Sequence, residues 1–300
     1  MTATVRFLVF GGLGQLGREL QLAARRKGVA LTAVGHRDAD VGRPDSVRDA
    51  IVRARPDVVV NAAAYTKVDL AEAEPVAAWT ANCLGAATVA SECAAADVPL
   101  VHLSTDYVFD GSKPSAYDES DAVAPLGVYG ASKEAGEKAV RAAWHKHLIL
   151  RTAWVYGRFG SNFLKTMVRL ARERESLRVV SDQVGNPTAT EDLAEAVLCA
   201  GAGAAASDDR WGTYHFAGSE EASWHEFAVA IVEAQASRTG RRPPVAAIPT
   251  VEFPTPARRP ANSRLDSARF ISAFGLGAAS WRSRVGPVVN AVLEDAPVPP

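Results

Sequence analysis

The sequence predicts an α/β fold, a doubly wound parallel sheet with a smaller C-terminal lobe. Three observations point there. Short apolar runs such as "RFLVF", "DVVVN" and "HLILRTAW" recur without polar alternation, so both of their faces are buried. Helical patterns separate them, which is the order a parallel sheet needs. A glycine cluster stands directly behind the first run.

Taken in order, "RFLVF" leads into "QLGRELQLAARRKG", "ALTAV" into "DSVRDAIVRA", and "DVVVN" into "AWTANCLGAATVASECAAA". "PLVHLS" is followed, after a loop, by "SKEAGEKAVRAAW", and "HLILRTAW" closes the regular part near residue 155. This is a Rossmann-type arrangement. Beyond it, "SNFLKTMVRLARERES" reads as an amphipathic helix, "LRVVSD" as a strand and "EDLAEAVLCAGAGA" as a helix. The proline- and arginine-rich "RRPPVAAIPTVEFPTPARRP" reads as irregular and partly extended. The division expected is a nucleotide-binding domain over 1–155 to which 187–222 returns, with 156–186 and 223–300 forming a substrate-binding lobe. A ligand would lie between the two.

Composition narrows the class. With 300 residues, 48% hydrophobic, 22% charged and a formal net charge of −1, the chain can bury a large core and offers no electrostatic footprint for nucleic acid. Three cysteines without a CxxC suggest a reducing compartment. The apolar run at the N-terminus is too short for a signal peptide, and none approaches the roughly 20 residues of a membrane span. A cytoplasmic protein with no membrane partner is expected. Seven of the 33 basic side chains are lysine, so a lysine at a mechanistically useful position stands out.

The cluster "FGGLGQLGREL" places Gly11, Gly12, Gly14 and Gly17 between the first strand and first helix. Glycine lets the backbone approach a pyrophosphate, and the helix N-terminus presents free N–H groups to it. GxxGxxG from Gly11 and GxGxxG from Gly12 both fit, and a purely structural turn is the alternative to dinucleotide binding. The second strand ends "AVGHRDAD", with no acid at the place where NAD sites hold ribose hydroxyls. Arg37 can pair with a 2′-phosphate, which favours NADPH over NADH, unless it is a solvated loop arginine. Asp40 and Val41 are expected beside the adenine.

Tyr129 and Lys133 in "VYGASKEAGEK" lie one helical turn apart on one face. A tyrosine near its ordinary pKa of about 10 is a poor proton shuttle, and a neighbouring ammonium lowers that value. Lys133 can also hold the nicotinamide ribose. "VHLSTDYVFDG" leaves its strand at the carboxyl end, where ligands bind in this fold, so Thr105 can face the same pocket and orient a carbonyl. Asp106 and Tyr107 would shape the substrate side. A capped turn is the plainer reading of that stretch, and a helical-surface pair that of Tyr129 and Lys133.

The glycine loop, hydroxyl residue and YxxxK, in this order, resemble the extended short-chain dehydrogenase/reductase superfamily. More narrowly, "NAAAYTKVDLAE", "STDYVFDG", "YGASKEAGE", "RTAWVYG", "NFLKTM", "SDQVGNPT" and "RRPANSRLD" are similar to the dTDP-4-dehydrorhamnose reductase family, from the first strand to about residue 270. The resemblance implies reduction of dTDP-6-deoxy-L-lyxo-4-hexulose to dTDP-L-rhamnose, the last step of dTDP-rhamnose synthesis. It implies that Gly11 to Gly17, with Gln15 and Leu16, bind the cofactor diphosphate, and that Ala62, Ala63 and Tyr65 line its nicotinamide side. Thr105, Tyr129 and Lys133 would be the catalytic group. Asp106, Tyr107 and Trp154 would contact the nucleotide sugar; Asn162, Phe163, Gln183 and the pair Pro187-Thr188 would stand in the substrate lobe and the loop after it.

Arg258 and Arg259 would meet the diphosphate, for which arginine forks are suited. Trp154 as core, Asn162 as a helix cap and Arg258-Arg259 as a solvated pair are the competing readings. Family members that form magnesium-bridged homodimers supply the last expectation. Glu19 and Glu191 match two of the bridging positions, and a third acid is not placed. The rival functions are reduction of another nucleotide-linked 4-keto-6-deoxysugar and non-catalytic NADP binding by a regulatory subunit.

Overall fold

Five of the apolar runs and a sixth strand, "GTYH", that sequence reasoning did not mark form the main sheet, all parallel, in the order β2-β1-β3-β4-β5-β10. They are β1 (Arg6–Phe10), β2 (Ala30–Val34), β3 (Val58–Asn61), β4 (Leu100–Thr105), β5 (His147–Thr152) and β10 (Gly212–His215). The computed structural model describes residues 5–206 and 210–295. Between these strands run helices α1 (Gln15–Lys27), α2 (Pro44–Ala54), α3 (Val68–Ala73), α4 (Pro75–Trp79), α5 (Gly85–Ala95), α6 (Val128–Ala143), α7 (Phe163–Glu173) and α8 (Thr190–Ala206). The short strands β6 (Val155–Tyr156), β7 (Leu177–Val180), β8 (Val184–Gly185) and β9 (Thr188–Ala189) separate the last three. The remainder comprises β11 (Ala222–Ser223), α9 (Trp224–Thr239), β12 (Val245–Ile248), α10 (Ala268–Phe274) and α11 (Trp281–Glu294).

Side-chain alternation sorts the strand residues to two buried faces. Phe7 and Val9 pack with Leu20 of α1 and Leu193 and Val197 of α8, whereas Leu8 and Phe10 pack with α2 and α5. Both faces are covered, which is why the strands read as unbroken apolar runs. The chain passes from β1 to β2 on one side and then places β3 on the other, so the strand order reverses between β1 and β3. Ligands in such sheets bind outside the carboxyl ends of the strands at that reversal. The loops arriving there are Gly11–Gly14 and the segment after Asn61.

The stretch read as one helix from Ala78 onward is a continuous helical rod interrupted by a π-turn, Thr80–Leu84, between α4 and α5. The lobe has its own apolar centre, built from Leu164 and Met167 of α7, Leu177 of β7, Phe227 and Ile231 of α9, and Trp281 and Val285 of α11. Its parallel pair β7–β12 runs through the proline-rich stretch, with Pro244 before the strand and Pro249 after it. That segment is therefore an ordered strand bounded by prolines, positions where a missing N–H costs no ladder bond. One correction to the division concerns α10. Placed in the lobe by sequence, it packs Phe270 against Tyr214 and Phe216 on the sheet side instead. Among the described residues, no helix is long and apolar enough to cross a membrane.

Candidate active site

At the strand-order reversal the backbone comes too close for side chains. Gly11 takes φ +81°, and a Cβ there would stand 2.7 Å from the Ala62 carbonyl and the Ala63 nitrogen. A Cβ at Gly17 would meet the Gly11 carbonyl oxygen at 2.3 Å. The turning frame is thus Gly11, Gly14 and Gly17, while Gly12 lies against β2, its N–H bonded to the Val34 carbonyl at 2.9 Å. Gly14 is the N-cap of α1, no side chain caps it, and no acid occupies the first turn. The leading N–H groups of α1 stay open to an anion, which fits a dinucleotide diphosphate. Farther out, Asp40 accepts the Gly42 N–H at 2.9 Å and Val41 is buried. Arg37 is exposed and forms no ion pair among the described residues.

From this helix end a cleft of about 480 Å³ runs along the carboxyl ends of β4 and β5 to the lobe. Gly14, Gln15, Leu16 and Ala62 line one end, Thr105, Asp106, Tyr107, Tyr129 and Lys133 the middle, and Trp154, Asn162, Phe163 and Trp224 the other. The Thr105 hydroxyl donates to Asp106 at 3.0 Å and accepts the Tyr107 N–H at 3.2 Å, and it lines the same stretch of the cleft as the Tyr129 phenol. Lys133 donates to the Leu103 carbonyl at 2.6 Å.

The electrostatics correct one expectation. Burial pushes Tyr129 up to about 12; the nearby Thr105 hydroxyl opposes that and the Asp106 charge adds to it. The Lys133 ammonium does not bring the phenol down. It is drawn to Leu103, and burial lowers its own pKa to about 8 against the attraction of Glu137. Asp106 is raised to about 7 by burial, which outweighs the opposing influence of the nearby Ser263 and Thr105 hydroxyls.

Trp154 holds φ +46°, a strained conformation for a bulky residue. Its indole donates to Ser263 at 3.1 Å and stacks on Trp224 with centroids 3.5 Å apart and planes 4° apart. It lines the cleft and also packs against the apolar cluster of Val108, Phe109 and Ala153. Asn162 caps α7, accepting the Lys165 N–H at 3.0 Å, and also donates to Gln15 at 2.7 Å, which ties the lobe to the start of α1. Phe163 leans on Trp224, with centroids 4.6 Å apart.

Several expected residues lie elsewhere. Gln183 is buried away from the cleft, donating to Thr250 at 3.0 Å. Thr188 is likewise internal, its hydroxyl bonded to the Asn186 carbonyl at 3.0 Å. Tyr65 turns its hydroxyl to Glu74 at 2.7 Å, and Ala63 packs behind the sheet. Arg259 is held by Asp69 at 3.0 and 2.8 Å beside Tyr107, leaving Arg258 as the exposed member of the pair. Glu19 and Glu191 share Arg26, at 3.9 and 3.5 Å. A guanidinium already stands between the two carboxylates, and among the described residues no three acids, histidines or cysteines group as a metal site.

A family model described as the RmlD substrate binding domain matches residues 5–294. The dTDP-4-dehydrorhamnose reductase of Sinorhizobium fredii is 43% identical over 291 residues, which is 96% of this chain and 98% of that protein. This chain belongs to the dTDP-4-dehydrorhamnose reductase family. The dTDP-4-dehydrorhamnose reductase of Escherichia coli K12 is 41% identical over 294 residues, 95% of this chain and 97% of its own length. The crystal structure of dTDP-4-dehydrorhamnose reductase from Bacillus anthracis in complex with NADP is 35% identical with a TM-score of 0.87, covering 95% of this chain and 99% of that one. A Thermus thermophilus UDP-glucose 4-epimerase structure, 20% identical with a TM-score of 0.82 over 97% of this chain and 100% of that one, shares the fold.

Within this dTDP-4-dehydrorhamnose reductase family member, sequence reasoning missed residues that act through others. Asn82, buried in the π-turn, accepts the Tyr65 N–H at 2.8 Å and donates to Ser132 at 3.0 Å, which in turn donates to the Tyr129 carbonyl at 2.8 Å. An asparagine inside an otherwise apolar helix was its only signal, and π-turns are frequent near functional sites. Trp224 was readable as a helix start, because Ser223 and Glu226 form a capping box. Its place opposite Trp154 was not.

Proposed function

We propose that this chain reduces the C4 ketone of dTDP-6-deoxy-L-lyxo-4-hexulose (dTDP-4-dehydrorhamnose) to dTDP-L-rhamnose with NADPH. The observation that carries the reading is one continuous cleft, which joins the uncapped N-terminus of α1 to Thr105, Tyr129 and Lys133. The cofactor, when bound there, supplies the hydride. A phenol pushed up to about 12 is protonated near neutrality, so Tyr129 is the proton donor to the ketone oxygen as negative charge develops on it. Thr105, beside that phenol in the cleft, orients the carbonyl. Lys133, beside Leu103 at the same wall, holds the ribose side of the cofactor, and the exposed Arg37 receives the 2′-phosphate.

Trp154 and Trp224 supply an aromatic wall for the nucleotide sugar, and Asp106 and Tyr107 its polar floor. Arg258 is the cation available to the diphosphate, since Arg259 is committed to Asp69. The reading routes no step through magnesium; Glu19 and Glu191 both face Arg26. The test is a coupled assay. dTDP-glucose with its 4,6-dehydratase and 3,5-epimerase generates the keto sugar, and NADPH absorbance is followed after this protein is added. Loss that requires the epimerase and yields dTDP-rhamnose supports the reading. Loss without the epimerase redirects it to another 4-keto sugar, and binding of NADPH with no loss redirects it to a regulatory role.

A further inference from the structure

Helix α6 carries Tyr129 and Lys133, yet it does not close its own first turn. Its N-cap is Gly127, and no side chain of the helix caps it. The closing group comes from α3, where Glu72 Oε1 accepts the Val128 N–H at 2.8 Å. A Cβ at Gly127 would lie 2.5 Å from that same oxygen, so the glycine leaves room for the carboxylate. On the other side of Tyr129, a Cβ at Gly130 would lie 2.2 Å from the Tyr107 carbonyl oxygen. The phenol is therefore carried between two glycines, each pressed against a protein oxygen.

Asp69 stands one turn before Glu72 and on the same face of α3. It holds both ends of the Arg259 guanidinium and accepts the Ala257 N–H at 3.3 Å. The Arg259 guanidinium stands beside Tyr107, whose ring meets that of Tyr129 edge to face with centroids 5.7 Å apart. The contacts close on themselves, from α3 through Arg259, Tyr107 and Tyr129 back to α3 at Glu72.

We propose that Glu72 is a positioning residue for the Tyr129 proton donor, fixing the first turn of α6 so that the phenol meets Thr105. Asp69 fixes the opposite side of the same ring through Arg259. This rests on the reduction proposed above. Glu72 does not line the cleft and acts through the Val128 N–H.

The test compares Glu72→Ala, Glu72→Gln and Gly127→Ala in steady-state turnover of the keto sugar and in amide hydrogen exchange over residues 127–134. A displacement of about 1 Å at a reacting group costs on the order of 100-fold in rate. Glu72→Ala is expected to lower kcat by about 10- to 100-fold, leave both KM values within about threefold, and speed exchange in the first turn of α6. Glu72→Gln keeps an acceptor oxygen and restores both readouts. Gly127→Ala crowds the carboxylate out and reproduces the defect, and adding it to Glu72→Ala changes nothing further. Unchanged kcat in Glu72→Ala, glutamine no better than alanine, or unchanged exchange each overturns the proposal. A wild-type chain that does not turn over the keto sugar overturns the functional reading instead, and hydrogen exchange still decides the role of Glu72.

Discussion

Asp106 receives the Thr105 hydroxyl at 3.0 Å through one carboxylate oxygen, while its other oxygen is buried without a hydrogen-bond partner. Burial holds its pKa near 7, above the value of about 3.9 expected in an unfolded chain. Between those values the folded protein binds the additional proton, so this group makes stability fall as pH rises from about 4 to about 7. Asp106→Asn removes that dependence. Its melting temperature, taken relative to wild type, is expected to climb across this window and level off above it. A difference that stays constant with pH would refute the account.

The phenol of Tyr129 can be removed without disturbing its ring against Tyr107. Tyr129→Phe is expected to lower kcat by about 10²–10⁴-fold, the range for losing a general acid. NADPH affinity, followed by fluorescence titration, should be unchanged. A variant of near-normal rate would shift the proton donation elsewhere.

Gly11 and Gly28 both have positive φ, at +81° and +65°, but only Gly11 has backbone against the missing Cβ. Gly28→Ala introduces strain in open space and should cost about 1 kcal/mol of stability with cofactor binding intact. Gly11→Ala forces the loops after β1 and β3 apart, and NADPH Kd should rise by at least about tenfold, since that opening is worth more than the strain alone. Equal effects of the two alanines on Kd would show that the close approach to Ala62 has no bearing on the cofactor.

Arg37 is exposed and without an ion pair among the described residues, so its substitution should leave stability untouched. A charge-assisted bond to a phosphate contributes roughly 1.5–3 kcal/mol. Arg37→Ala should raise the KM for NADPH by about tenfold or more and leave that for NADH where it was. Parallel changes with both cofactors would remove Arg37 from the 2′-phosphate site.

The inner strands of the sheet were legible because they are buried on both faces, so apolar continuity alone marks Phe7–Phe10 or Val58–Val60, whereas the edge strand Gly212–His215 carries no such run and went unread. The active-site helix was legible because Tyr129 and Lys133 are one turn apart. What escaped reading depends on contacts far along the chain. Both glycine frames fit until Ala62 comes against Gly11. The four-residue spacing places Lys133 beside Tyr129, but the carbonyl of Leu103, on strand β4, takes its ammonium. Arg259 and Gln183 sit in family-like segments, yet Asp69 and Thr250 decide where their side chains point. Helix α3 is six residues long with no side-chain cap of its own, so nothing local announces that it braces α6.

The chain visits the lobe more than once. It enters with α7 and β7, goes back to the sheet for α8 and β10, re-enters with α9 and β12, leaves for α10 and finishes in the lobe with α11. The lobe thus has no pair of cut points at which it could be excised or grafted as a cassette. A shift in which sugar the cleft accepts has to be assembled in place, residue by residue, with the dinucleotide half inherited alongside it.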